Sequence, residues 1–239
     1  MNQVIAMHGW YSDSSYWNCW EQQFQLNGWI WQNTERGYGY IAPSEPSWNL
    51  TNDGITDQKH KKLVICHSLG IHLLPSSIIK KASHIILLNS FSRFIPYGKE
   101  SRAMKIALEG MQKQIGREGE SKMLFKFAKK ANIPIRKEEC LPTNFNARLS
   151  VEGREKLKKD LDLLIKTSKL PSGFNKQAKV LVVNGKNDAI VCQSTKAQLI
   201  EELRNYLDND PIDWVIEGEE HFMELSNIIS DVINWLESD

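Results

Sequence analysis

The chain has 239 residues, of which 41% are hydrophobic and 25% charged, with a formal net charge of +1. That length and apolar share suit one domain able to bury a sizeable core, and no apolar stretch approaches the roughly 20 residues of a membrane span. The four cysteines, Cys19, Cys66, Cys140 and Cys192, lack the paired spacing of a zinc site or a disulfide framework, so reduced thiols and no metal are expected.

Met1 leads almost directly into the strand-like run Val4–Met7, which leaves no room for a secretion signal. A soluble, cytoplasmic, monomeric protein follows as the expectation. Short apolar, β-branched runs then recur at Trp29–Asn33, Leu63–Cys66, His84–Leu88, Val180–Val183 and Trp214–Ile216. Near-continuous apolar runs of strand length belong to strands buried on both faces, hence to a mostly parallel sheet of about six strands covered by helices. Pro75, seven residues after Ser68, predicts a helix that stops early.

Residues 91–171 interrupt this alternation with helical periods only. Ala103, Ile106, Ala107 and Met111 share one face, as do Met123, Leu124, Phe127 and Ala128, and then Leu157, Leu161, Leu164 and Ile165. Ser150 is placed to cap the last of these helices, and Pro134, Pro142 and Leu170–Gly173 punctuate the segment. The pattern predicts a helical lid at 91–171 inserted into a core made of 1–90 and 172–239. Charge divides along the same line: residues 92–170 hold 19 Lys or Arg against 10 Asp or Glu, which is 19 − 10 = +9, and the remainder holds 11 against 19, or −8. A like-signed segment steers an oppositely charged partner, although a solvated helical surface is the plainer explanation of Lys-rich helices.

The chemistry sits at strand ends. Cys66-His67-Ser68-Leu69-Gly70 closes an apolar strand and opens a helix, the form of a nucleophile elbow that lifts the serine out of the sheet. His8-Gly9-Trp10 follows the first strand, Asn184-Gly185-Lys186-Asn187-Asp188 the fifth, and Gly218-Glu219-Glu220-His221 the sixth. A serine hydroxyl is a poor nucleophile at neutral pH, so Ser68 needs His221 as base and Asp188 to fix the imidazole tautomer. The backbone amides of Trp10 and Leu69 are expected to hold the oxyanion, each supplying roughly 3 kcal/mol to the transition state. The bland alternatives are a helix cap at Ser68, a turn residue at Asp188 and a solvated histidine at 221. His8 and His67 adjoin functional turns as supporting residues, while His60, His72 and His84 show no metal spacing.

Taken together, these residues resemble the α/β-hydrolases over essentially the whole chain. The resemblance implies a serine ester or thioester hydrolase that needs no cofactor. Within that superfamily the sequence is similar to the pimeloyl-acyl-carrier-protein methyl ester esterases of biotin synthesis, in His8-Gly9-Trp10, Trp31-Gln32, Glu35-Arg36-Gly37-Tyr38-Gly39, the elbow itself and Asn89-Ser90-Phe91-Ser92-Arg93-Phe94. Gly110-Met111-Gln112, Gln114, Met123-Leu124 and Phe127 resemble the first lid helices. This likeness implies an acidic acyl carrier protein as the bearer of the substrate, for which Arg93, Arg102, Lys113, Arg117, Lys122 and Lys126 are the docking candidates. Trp10, Phe91, Phe94, Leu108 and Met111 are the candidate wall of an acyl slot. The competing functions are a generalist small-ester hydrolase or thioesterase, and a catalytically silent binding protein of the same fold.

Overall fold

The computed structural model describes residues 1–48, 60–133 and 149–238. Six strands, β1 (Gln3–Met7), β2 (Ile30–Thr34), β3 (Lys62–His67), β4 (His84–Leu88), β5 (Lys179–Gly185) and β6 (Ile212–Ile216), form one sheet in the order β2-β1-β3-β4-β5-β6. All five pairings are parallel. Every residue of β1 and β4 is buried, which explains their unbroken apolar runs. The edge strands β2 and β6 mix buried or half-buried positions with polar or exposed ones.

Alternation along the strands divides the core into two layers. Val4 and Ala6 of β1, with Leu63 and Ile65 of β3, face Trp17, Trp20 and Phe24 around helix α1 (Asn18–Leu26) and Val232 and Trp235 of helix α8 (Ile229–Glu237). Ile5, Met7, Val64 and Cys66 face the other way, onto α2 (Gly70–Leu73), α3 (Ser76–Ile79) and α7 (Gln193–Tyr206). As Pro75 demands, α2 is a single turn: Leu74 is extended and the chain restarts as α3. Cys19, Cys66 and Cys192 are free thiols, and no helix among the described residues is long and apolar enough to cross a membrane.

A third apolar cluster lies beyond the C-terminal ends of the strands, where α4 (Glu100–Gln114), α5 (Glu120–Ala131) and α6 (Val151–Lys166) pack around Trp10, Leu69, Phe91 and Phe94. The inward face of α4 differs from the one its sequence suggests. Met104, Leu108 and Met111 point in with Ala107 on the cavity wall, whereas Ala103 and Ile106 are exposed, because positions i, i+4 and i+7 form one stripe of the helix and Ala103 and Ile106 fall beside it. Helix α5 buries Leu124 and Ala128, and α6 buries Leu157, Leu161 and Leu164. Ser150 caps α6 by accepting the Gly153 N–H. The expected turns at Pro134 and Pro142 lie outside the described residues.

Polar contacts anchor α6 to the loops after β1 and β2. Asp160, 2% exposed, accepts both Arg36 Nε (2.5 Å) and Arg36 Nη2 (2.6 Å) and the Tyr38 hydroxyl (2.8 Å), and Trp10 Nε1 donates to the Leu157 carbonyl at 2.8 Å. Gly153 is required by approach: a Cβ there would stand 1.7 Å from the Tyr38 carbonyl oxygen. On the core side, the Glu35 carboxylate accepts the N–H groups of Ser14 (2.8 Å) and Gly37 (2.7 Å) and lies 3.4 Å from His8 Nε2. Burial pushes the Glu35 carboxyl up, but His8 and these amides outweigh it and hold it at about 2.

Two stability measurements check these anchors. Asp160→Ala strands Arg36 and the Tyr38 hydroxyl and is expected to cost about 3 kcal/mol in urea unfolding. Glu35→Gln is expected to cost about 3 kcal/mol at pH 7. Because the native carboxyl ionises below its unfolded value, the deficit is complete above roughly pH 4.5 and vanishes as pH falls toward about 2.

Candidate active site

Strand β3 ends at His67, and Ser68 takes φ 53°, a left-handed conformation that serine seldom adopts. The strain, of order 1–3 kcal/mol, is held by Ser68 N–H donating to the Leu88 carbonyl (2.9 Å) and Ser90 Oγ donating to the Ser68 carbonyl (2.7 Å). Two glycines make room for the turn. A Cβ on Gly9 would lie 3.0 Å from Ser68 Cβ and 2.9 Å from His67 Nδ1, and one on Gly70 would lie 2.5 Å from the Met7 carbonyl oxygen. The backbone N–H groups of Leu69, the next residue, and of Trp10, which lines the same cavity as Ser68, donate to no protein acceptor among the described residues.

Asp188 follows β5. Its Oδ1 accepts the N–H groups of Ile190 (2.7 Å) and Val191 (3.1 Å), and its Oδ2 lies 3.1 Å from His221 Nδ1 and 3.3 Å from Lys196 Nζ. Burial pushes this carboxyl up, yet the hydrogen bond and charge of His221, with Lys196 and the Ile190 amide, hold it at about 2. His221 is 2% exposed on the loop after β6. Its carbonyl accepts His67 Nε2 (2.9 Å) and Asn89 Nδ2 (2.9 Å), and the two imidazole rings stand 4.8 Å apart. Gly185 lets this loop approach, since a Cβ would meet the Glu220 and Glu219 carbonyl oxygens at 2.5 and 2.6 Å. Burial, and then the charge of His221, drop the His67 imidazole to about 3, so His67 is neutral and donates through Nε2.

The structure thus brings Asp188 and His221 into hydrogen-bond contact and pins the His221 loop to His67, the residue before Ser68. The Ser68 hydroxyl makes no hydrogen bond among the described residues and faces a cavity of about 610 Å³ between the strand ends and α4, α5 and α6. Trp10, Phe94, Leu108 and Met111 line it, as their positions in the sequence suggest. Phe91 does not: it is fully buried one layer below, stacked on His72 at 5.6 Å and edge-on to Phe94 at 5.1 Å. The left-handed turn at Asn89 (φ 43°) precedes this inward course of the chain.

Of the six candidate docking cations, Lys122 and Lys126 line the cavity itself, joined by Lys130 one helical turn further along α5. Arg102, Lys113 and Arg117 are exposed. Arg93 folds back, with Nη2 donating to the Ser168 carbonyl (3.1 Å) and its guanidinium 4.1 Å from the Tyr97 ring centre.

Sequence reasoning missed three contributors. Asn89 carries a polar side chain directly after a strand, which is a visible signal. Lys196 and Ile190 carry none, because only the fold brings them to Asp188 and the cavity.

No family model matches the chain, and no curated protein does. Solved structures do match its shape. An esterase from Exiguobacterium antarcticum superposes with a TM-score of 0.66 at 16% identity, covering 99% of this chain and 92% of that one. A bromoperoxidase from Bacillus anthracis gives 0.67 at 14% identity over 99% and 92%. An esterase from Thermogutta terrifontis gives 0.62 at 12% identity over 100% and 90%. With its parallel six-stranded sheet and flanking helices, the chain has the α/β-hydrolase fold.

Proposed function

We propose that this protein is a serine carboxylesterase with Ser68 as nucleophile, His221 as general base and Asp188 as its orienting carboxylate. The observation that carries this reading is a strained serine at φ 53° facing an apolar cavity, directly after His67, which holds the loop of a buried His221 whose Nδ1 meets the Asp188 carboxylate at 3.1 Å. His221 takes the Ser68 proton as Oγ adds to the ester carbonyl, and the oxyanion accepts the free amides of Trp10 and Leu69. The tetrahedral species collapses, the C–O bond to the alcohol breaks, and His221 returns its proton to the departing alkoxide. Water, deprotonated by His221, then attacks the acyl-enzyme; the acid leaves and Ser68 recovers its proton. Esterases among the matching structures support the reaction class, while a bromoperoxidase of the same shape means that the fold alone does not choose it.

The substrate proposed is the methyl ester of a pimeloyl group carried by an acyl carrier protein, acted on in the cytoplasm. The largely apolar lining of the cavity supports an acyl chain, and the +9 segment, read as a lid at 91–171 and carrying Lys122 and Lys126 at the cavity, supports an acidic carrier. A generalist esterase or thioesterase uses the same triad without the carrier, and a silent binding protein uses neither.

Ser68→Ala is expected to retain the native far-ultraviolet circular dichroism and lose p-nitrophenyl acetate hydrolysis on the order of 10⁴-fold or more. Retained turnover removes Ser68 from the mechanism. With carrier-bound methyl pimeloyl thioester, mass spectrometry is expected to show loss of one methylene mass with the thioester intact. Turnover of that substrate is expected to fall as ionic strength rises from about 0.05 to about 0.5 M, while p-nitrophenyl acetate turnover holds steady. Release from the carrier instead identifies a thioesterase, and equal salt response of both substrates removes the docking role of the lid.

A further inference from the structure

Lys196 lies in the first turn of α7, 5% exposed. A buried ammonium costs several kcal/mol of lost hydration unless it is paired, and a cation near a helix N-terminus is opposed by the helix dipole. Neither burial nor helix formation therefore explains a lysine there. Its partners do: Nζ donates to the Gly185 carbonyl at 2.8 Å and stands 3.3 Å from Asp188 Oδ2, the same oxygen that faces His221 Nδ1. The Gly185 carbonyl alone needs only a neutral donor, so the charge is left for the carboxylate.

We infer that Lys196 is a positioning residue of the triad, whose ammonium shares Asp188 Oδ2 with His221 and offsets part of the carboxylate's charge, so that the imidazole is oriented without being held protonated. The inference rests on the Ser68–His221–Asp188 reading. A lone buried carboxylate 3.1 Å from an imidazole favours the imidazolium, and an imidazolium is no base. A second charge on the far side of the same oxygen weakens that pull while leaving the hydrogen bond in place.

The other groups around the pair do not supply this charge. From β3, His67 presents a neutral ring that donates to the His221 carbonyl. From the end of β1, His8 is turned to the Gly9 carbonyl and the Arg36 N–H. Tyr16 packs at a tilt against His67 and Phe222. On the His221 loop, Glu219 accepts the Glu224 N–H and the Asn227 amide, and Glu217 pairs with Lys186 at 2.5 Å. Among the described residues, Lys196 is the only lysine or arginine paired with Asp188.

The test is the pH dependence of kcat/KM for p-nitrophenyl acetate in wild type, Lys196→Gln, Lys196→Met and Lys196→Arg. Glutamine keeps a donor for the Gly185 carbonyl without charge, methionine keeps the apolar stem, and arginine keeps the charge. In both neutral variants the acid limb is expected to move up by about one pH unit, a roughly tenfold loss on that limb, with KM on the plateau unchanged. Lys196→Arg is expected to restore the wild-type limb. If either neutral variant fails to fold, the other decides. An acid limb in Lys196→Gln or Lys196→Met that coincides with wild type overturns the inference. Controls with Ser68→Ala and His221→Gln separate the two levels: if they abolish turnover while the limb stays put, only the role of Lys196 falls, and if they retain turnover, the triad falls and this inference with it.

Discussion

One side chain ties the ends of three strands together, and the site depends on it. Asn89 stands just past β4. Its Nδ2 donates to the Glu220 and His221 carbonyls of the loop after β6, at 2.8 and 2.9 Å, and its Oδ1 accepts the Gly185 N–H at the end of β5, at 2.8 Å. Its own backbone N–H reaches the Val183 carbonyl at 2.9 Å. A sheet positions strands, not the loops that leave them. Here a single buried amide converts the separate exits of β4, β5 and β6 into one rigid rim, and His67 adds a fourth tie from β3. A buried network of this kind specifies one geometry, because breaking any member strands the others.

Close approach is the second constraint. Gly9 and Gly70 let the first strand's exit and the elbow occupy nearly the same space, and Gly185 does the same for the His221 loop. The resulting density is what allows Ser68 to be held in a left-handed conformation. The electrostatics follow from the same compression: the Asp188, Lys196, His221 and His67 side chains are buried together, which keeps the Asp188 carboxyl low and the His67 ring neutral. Above this rim, α4, α5 and α6 close an apolar cavity in which α5 carries cations, and Asp160 latches α6 to the loop after β2.

Much of this was legible in the sequence, and the reasons are physical. Strands buried on both faces write themselves as unbroken apolar runs, so β1, β3, β4 and β5 fall where the composition puts them to within a few residues. The edge strand β6 begins earlier than Trp214, at Ile212, because Asp213 interrupts the run where one side of the sheet meets solvent. The order of Ser68, Asp188 and His221 along the chain was readable because each follows a strand. Side-chain direction was less so. Phe91 was expected in the cavity wall and is buried beneath it, and Ala103 and Ile106 were expected inward on α4 and are exposed, since a short apolar pattern does not say which of two adjacent stripes the larger residues will claim. Lys196 was invisible for a different reason: a lysine in an amphipathic helix reads as surface until the fold shows that its head group is enclosed.

The central claim is that a buried imidazole makes the Ser68 hydroxyl reactive, and the most direct measurement is covalent labelling with a fluorophosphonate followed by peptide mapping. The account predicts one phosphonyl adduct, located on Ser68, that forms readily in wild-type protein and fails to form in His221→Gln. An intact protein that takes no label, or one labelled equally well with residue 221 replaced, would contradict it.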